Sequence, residues 1–190
     1  MTHVSQDNSP QPVKVQLTIP NKPELVEALG RLAMGHAHLE VVLKYTFKTL
    51  SRLSIREALD QMKKKRTAFV RKRIRRLFLE KNPETEDIAQ LEELLNEAKK
   101  LSGKRNDLLH SAWSESPAGQ PIIKSEDHTW GPAPSKEEVD RITSEIVNLG
   151  NQINHERLHG FIQRVASKQL PEHATASESQ LRSVMRSFSE

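Results

Sequence analysis

From Pro23 onward the apolar residues fall three or four apart. Leu25, Leu29, Leu32, His36, Leu39, Leu43, Phe47 and Leu50 follow a 4-3-4-3-4-4-3 spacing, which lines one face of an amphipathic helix of about seven to eight turns. Before it, Val13, Val15, Leu17 and Ile19 alternate with polar residues after a polar start containing Pro10 and Pro12. That period of two predicts a short half-buried strand or an extended strap. A second helix is expected after Ser54, a natural N-cap, with Ile55, Leu59, Met62, Phe69, Ile74, Leu77 and Phe78 on its apolar face and its end at Lys81-Asn82. Phe69 and Phe78 are both expected in the core. Asn82-Pro83-Glu84 reads as cap, first-turn proline and dipole-favoured acid, so a third helix starts there. Its stripe runs through Ile88, Leu91, Leu95, Ala98, Leu101 or Ser102, Arg105, Leu108 or Leu109, and Ala112. The apolar seam ends on a charged residue.

Pro117, Gly119, Pro121, Gly131, Pro132 and Pro134 predict a loop, with Ile122-Ile123 as one arm of a small hairpin. Ser135 followed three residues later by Glu138 fits a capping box. It opens a fourth helix carrying Val139, Ile142, Ile146, Leu149, Ile153 and later Phe161. The expected fold is all-α, an up-and-down four-helix bundle with a small loop or hairpin before the last helix. Residues 1–22 form an N-terminal arm, 23–166 the bundle and 167–190 a serine-rich tail, in which Leu181, Val184, Met185 and Phe188 can make one short docking helix.

Composition narrows the function classes. The 190 residues are 35% hydrophobic and 4% aromatic, a modest core that suits elongated elements or completion by a partner chain. Cysteine is absent, which excludes disulfides, thiolate-bound zinc, iron-sulfur clusters and cysteine nucleophiles. No glycine-rich phosphate loop and no Gly-x-Ser-x-Gly elbow occurs. No apolar run approaches a membrane span and no signal-peptide pattern opens the chain, so a soluble cytoplasmic protein without membrane contact is expected.

The net charge of +4 hides a segregation. Residues 1–82 hold 17 Lys+Arg against 7 Asp+Glu, and residues 83–190 hold 12 against 18. Lys63, Lys64, Lys65, Arg66, Arg71, Lys72, Arg73, Arg75 and Arg76 crowd fourteen positions that contain no acid. A field of that sign attracts polyanions, nucleic acid first, and RNA contact through the backbone with little sequence preference is expected. The acid-rich stretch Glu84, Glu86, Asp87, Glu92, Glu93 and Glu97 is placed to neutralise part of it.

The densest chemistry lies in Lys104-Arg105-Asn106-Asp107-Leu108-Leu109-His110-Ser111-Ala112-Trp113. Arg presents a planar fork of donors to phosphate oxygens, and His exchanges protons near neutrality. Together they suffice for phosphodiester cleavage with no metal or other cofactor. Asn106, four residues before His110, is placed to support the imidazole or the substrate, and Lys104 adds a cation for RNA. Arg105 and His110 are five apart, which on an undistorted helix separates them by about 140°. One helix would not aim both at the same phosphate, whereas two helices across a twofold axis would, and this predicts a homodimer.

Arg105-Asn106-Asp107-Leu108-Leu109-His110 resembles the motif of the HEPN superfamily, in which an Arg, usually followed by a polar residue, precedes a His after four to six residues. The resemblance spans residues 23 to 166. It implies a helical bundle, metal-independent endoribonuclease activity and a composite site at a homodimer interface with Arg105, Asn106 and His110 as its catalytic residues. It also implies toxin-antitoxin or antiphage roles with a cognate antitoxin or other protein partner. The family includes non-catalytic RNA-binding and scaffold members, which is the alternative function.

Three other patterns compete. Arg31 to His36 repeats the spacing, but His36 lies in the first helix's apolar stripe and reads as a buried, hydrogen-bonded core histidine. Glu40 and Lys44 form a Glu-x3-Lys pair that some HEPN proteins show and that an ordinary i,i+4 ion pair also explains. His155-Glu156-Arg157-Leu158-His159 is a literal H-E-x-x-H, with His155 and His159 as its metal ligands. The positions that a third ligand motif would use are Ile162 and Val165, His155 turns toward solvent, and no sheet edge is expected to hold a peptide. A zinc metallopeptidase is therefore the third reading.

Overall fold

The computed structural model describes residues 17–125 and 128–168. α1 (Pro23–Ser51) buries Leu25, Leu32, His36, Leu39, Leu43, Phe47 and Leu50, in the register that their spacing predicts. Pro23 stands in its first turn, where a missing N–H costs nothing. Arg52 closes it at φ 58°, and the Arg52 guanidinium donates to the carbonyls of Ala166 and Lys168, each at 2.9 Å. α1 touches every other helix and packs most extensively on α5 (Lys136–Leu158).

The expected second helix is two helices. α2 (Ile55–Met62) opens with a reciprocal capping box between Ser54 and Glu57, and α3 (Thr67–Leu79) follows after a turn. The break falls at Lys63–Arg66, four cations in a row with no apolar side chain to bury, and Lys64 takes φ 58°. Helices in proteins are held by their packed face, and this segment has none. After the break the register moves: α3 buries Val70, Ile74 and Phe78, and Phe69 is 42% exposed. Phe69 is thus no core residue, and Ile55 and Leu59 are exposed as well.

α4 (Thr85–Leu109) has Glu84, not Asn82, at its N-cap position, with no side-chain capping hydrogen bond. Asn82 belongs to the end of α3: at φ 50° it donates its N–H to the Leu79 carbonyl at 3.1 Å. Pro83 disfavours the right-handed helical region for the residue before it, and Asn tolerates the left-handed one. α4 buries Leu91, Leu94, Leu95, Ala98, Leu101, Ser102 and Leu108, but it stops at Leu109 and does not reach Ala112.

Where a loop or hairpin was expected there is a three-stranded antiparallel meander, β1 (Trp113–Glu115), β2 (Pro121–Lys124) and β3 (Trp130–Pro132), in the order β1-β2-β3. Trp113 faces Ile123, and Ile123 faces Gly131. Leu17 forms a single bridge to Ser114, and the Thr18 N–H donates to the Trp113 carbonyl at 3.2 Å, so the strap adds to the open edge of β1. Leu17 and Ile19 are exposed, contrary to a half-buried strand; Val13 and Val15 lie outside the described residues, as does the tail beyond Lys168.

α5 is capped by the Ser135 hydroxyl, which accepts the Glu138 N–H at 3.2 Å, and buries Val139, Ile142, Ile146, Leu149 and Ile153. Phe161 begins a separate helix, α6 (Phe161–Ser167). The Glu156 carboxylate turns into the break and accepts the Phe161 N–H at 3.0 Å; a Cβ at Gly160 would collide with that carboxylate. Phe161 meets Phe78 edge to face, ring centroids 5.9 Å apart. The architecture is mostly helical with one small antiparallel sheet. No helix among the described residues is long and apolar enough to cross a membrane.

Candidate active site

The site begins with how α4 ends. Its last carbonyls find three different donors: Asn106 O accepts the His110 N–H at 2.9 Å, Asp107 O accepts the Ser111 hydroxyl, and Leu108 O accepts the Trp113 indole N–H at 2.8 Å. With these acceptors satisfied, the chain leaves the helix at His110, which takes φ −109° and ψ −7°. The imidazole then folds back over the last turn, and Arg105 Nη1 lies 3.2 Å from His110 Nε2. The 140° separation of an unbroken helix does not apply. One chain brings guanidinium and imidazole together, and the geometric reason for requiring a second chain falls away.

A guanidinium donates and never accepts, so a hydrogen bond across this contact requires Nε2 as the acceptor. The same Arg105 Nη1 donates to Asn106 Oδ1 at 3.0 Å, so Asn106 steadies the arginine and not the imidazole.

Behind this pair lies a buried polar cluster. His36 is 4% exposed, and its Nε2 is 3.1 Å from the Ser102 hydroxyl, which donates onward to the Ala98 carbonyl at 2.6 Å. His36 Nδ1 faces the Glu40 carboxylate at 3.8 Å, and Glu40 accepts the Thr67 hydroxyl at 2.6 Å. Burial lowers the His36 pKa, Glu40 opposes that, and Arg105 and Arg71 add to the lowering. The two arginines therefore approach the buried imidazole from α4 and α3. Each has a buried nitrogen without a partner, Arg105 Nε and Arg71 Nη1. Buried N–H groups in native proteins nearly always have an acceptor, so these two orphans, on arginines that both act on His36, mark a region suited to an anion.

The basic residues divide. Lys63, Lys64, Lys65, Arg66 and Lys72 are exposed, Arg73 is half-buried, and none has a carboxylate within ion-pair distance among the described residues. Arg75 forms a bidentate pair with Glu92, and Arg76 pairs with Glu80 at 2.8 Å. Lys104 reaches Glu145 on α5 at 3.2 Å and serves as an interhelical tie. Of the acid-rich stretch, Glu92 alone pairs with the basic helix. Lys65 extends over the Phe69 ring at 5.3 Å, so an exposed aromatic face stands inside the basic segment. The gap in apolar residues at 63–66 was the sequence signal that could have revealed it.

The competing patterns have other employment. Arg31 donates to Glu27 at 2.5 Å and to Asp140 at 3.0 Å, tying α1 to α5, and His36 is a hydrogen-bonded core histidine. Glu40 engages Thr67 and faces His36, with no ion pair to Lys44. His155 and His159 are exposed, ring centroids 5.6 Å apart, while Glu156 between them caps α6. Among the described residues no third His, Cys, Asp or Glu joins them. Comparison with protein-family models, with curated proteins and with solved structures finds no match to this chain.

Proposed function

We propose that the protein is a metal-independent endoribonuclease of the HEPN type, with the fold read as that family's helical bundle and Arg105 and His110 at its centre. The observation that carries this reading is the 3.2 Å approach of the Arg105 guanidinium to Nε2 of His110. His110 Nε2 takes the proton of a ribose 2′-hydroxyl, and O2′ attacks the adjacent phosphorus. Arg105 turns from the imidazole to a non-bridging oxygen and stabilises the charge that gathers there, while Asn106, which accepts from the same Nη1, steadies the guanidinium. The P–O5′ bond breaks and the leaving oxygen takes a proton from water. The products are a 2′,3′-cyclic phosphate and a 5′-hydroxyl, and His110 returns its proton to solvent.

The exposed cations of the α2–α3 turn guide the strand through its phosphates, and Phe69 offers one base a stacking surface. Val26, Gly30, Met34, Ala37 and Val41 are exposed on α1 at helical spacing, an apolar stripe suited to a second copy of the chain. A toxin or antiphage role in the cytoplasm follows from the family resemblance.

The test is cleavage of a mixed-sequence RNA in EDTA by the wild-type protein and by His110→Ala. Wild type is expected to leave cyclic phosphate ends and to run at twice 21.6 kDa; His110→Ala is expected to lose cleavage with unchanged mass and helical CD, and Met34→Glu to run as one chain. Full activity in His110→Ala sinks the assignment. The second reading is a non-catalytic RNA-binding module, favoured by the exposed basic turn and Phe69, which need no catalysis to serve. Salt-sensitive retention of RNA with no product would select it. Activity lost in EDTA and restored by zinc would instead select the H-E-x-x-H pair.

A further inference from the structure

A second charged site lies away from Arg105 and His110. The end of α1, the turn after it, α2 and α3 border an open cleft of about 580 Å³, within the range of small-molecule pockets. Its inner wall is apolar, formed by Phe47, Leu50, Leu53 and Leu77. Its polar rim carries three cations, Arg52, Arg73 and Lys81, against one carboxylate, Glu80, with Gln61 beside them.

Lys81 is the anomaly. It is 7% exposed, and its ammonium has neither a hydrogen bond nor an ion pair among the described residues, because Glu80 is committed to Arg76. Burial lowers its pKa and Arg52 adds to the lowering, with Glu80 opposing. The stem is buried while the ammonium keeps contact with solvent, so Lys81 offers the cleft an unpaired cation. Arg52 cannot relieve it: it has the same sign, and its guanidinium is fixed to the end of α6. A cation held at the edge of an apolar cleft, with two more beside it, is matched by a dianion carried on a body that can lie on the apolar wall.

We infer that this cleft binds the phosphate of a 5′-nucleotide at Lys81 and Arg73, with Arg52 adding positive charge beside them and the nucleoside against Leu53 and Leu77. The phosphomonoester supplies two charges to three cations, and Gln61 on the rim offers a ribose hydroxyl a polar partner. A fatty acid would bring one charge and leave Gln61 unused. The nucleotide is either free or the phosphorylated 5′ end of an RNA; the phosphate chemistry is shared. The site is separate from the proposed cleavage centre and does not depend on it.

The experiment is calorimetric titration of the full chain at low salt with adenosine 5′-monophosphate and with adenosine. In the His110→Ala protein, where RNA stays intact, 5′-phosphorylated and 5′-hydroxyl oligoribonucleotides are compared. One saturable site for the monophosphate, or for the phosphorylated RNA over its hydroxyl form, is expected, and which of the two binds identifies the source. Lys81→Met should weaken that binding about tenfold or more, as loss of a charge-assisted contact does, with little change in Tm, since it keeps an apolar buried stem and removes an unpaired charge that water reaches. Should Lys81→Met fold poorly, Arg73→Gln is expected to show the same loss in binding. No saturable site for either phosphorylated ligand, adenosine binding as tightly as its monophosphate, or unchanged affinity in the folded variants overturns the proposal.

Discussion

Acidification should destabilise this protein through His36, and the structure sets a ceiling on the loss. Burial against α4 lowers the His36 pKa below its ordinary value, with Arg105 and Arg71 acting in the same direction and Glu40 opposing. An unfolded chain restores an imidazole of pKa about 6.5. Below that value the unfolded state binds a proton that the folded state refuses, so stability is full at higher pH and is lost as pH falls. From about pH 7.5 to about pH 5.5, an imidazole that stays neutral throughout in the fold costs at most about 1.4 kcal/mol. Urea unfolding at both pH values, for wild type and His36→Leu, measures the term directly, because the carboxylates common to both proteins cancel in the difference. Ser102 keeps its bond to the Ala98 carbonyl in the variant, so no buried hydroxyl proton is stranded. Wild type is expected to lose about 1 kcal/mol more than His36→Leu over this window. Parallel losses, or a larger loss in His36→Leu, would refute an imidazole held neutral by burial.

Two further outcomes follow from asymmetries in the structure. Asp87 is buried, with one oxygen on Arg164 at 2.5 Å and the other unpartnered, whereas Arg164 is open to water. Arg164→Met therefore strands a buried carboxylate and should cost about 2–3 kcal/mol, the low end for a broken buried pair because solvent already reaches the arginine. Adding Asp87→Leu should recover most of that loss in calorimetric Tm, and a double variant no better than the single one would contradict it. Phe69→Ala should weaken RNA retention about fivefold or more, as loss of one base-stacking surface does, with little change in Tm. Equal retention at matched salt would remove Phe69 from the RNA face.

The long stripes were legible because burial needs only a period. Leu25 to Leu50 and Val139 to Ile153 fall on the buried faces of α1 and α5 with no other information. Register after a break was not. The apolar pattern selects Phe69, the bulkiest residue at hand, yet once Lys63–Arg66 leave the helix its face turns and the smaller Val70 is buried instead. Asn82 carried two compatible signals, an N-cap for the next helix and a left-handed closure for the last one, and Pro83 decided between them. Long-range pairs were invisible for a different reason: Arg75 and Glu92 meet across two helices, and Lys104 spends its charge on Glu145, neither of which sequence separation foretells. At the site itself the residue types pointed to Arg105, Asn106 and His110, but their mutual geometry depends on where α4 stops.

That stop is made from outside the motif. Ser111 and Trp113 take the carbonyls of Asp107 and Leu108, and Trp113 is placed by its pairing with Ile123 in the meander. Arg105 to His110 is therefore not a portable cassette. Grafted into the middle of a longer helix, the same six residues would splay the two side chains apart; transplanted with the terminator and its strand partner, they would keep their approach. A pattern search built on the spacing alone confuses these two cases, as the Arg31–His36 repeat in this very chain does, and a search that also requires a helix end at the histidine would separate them.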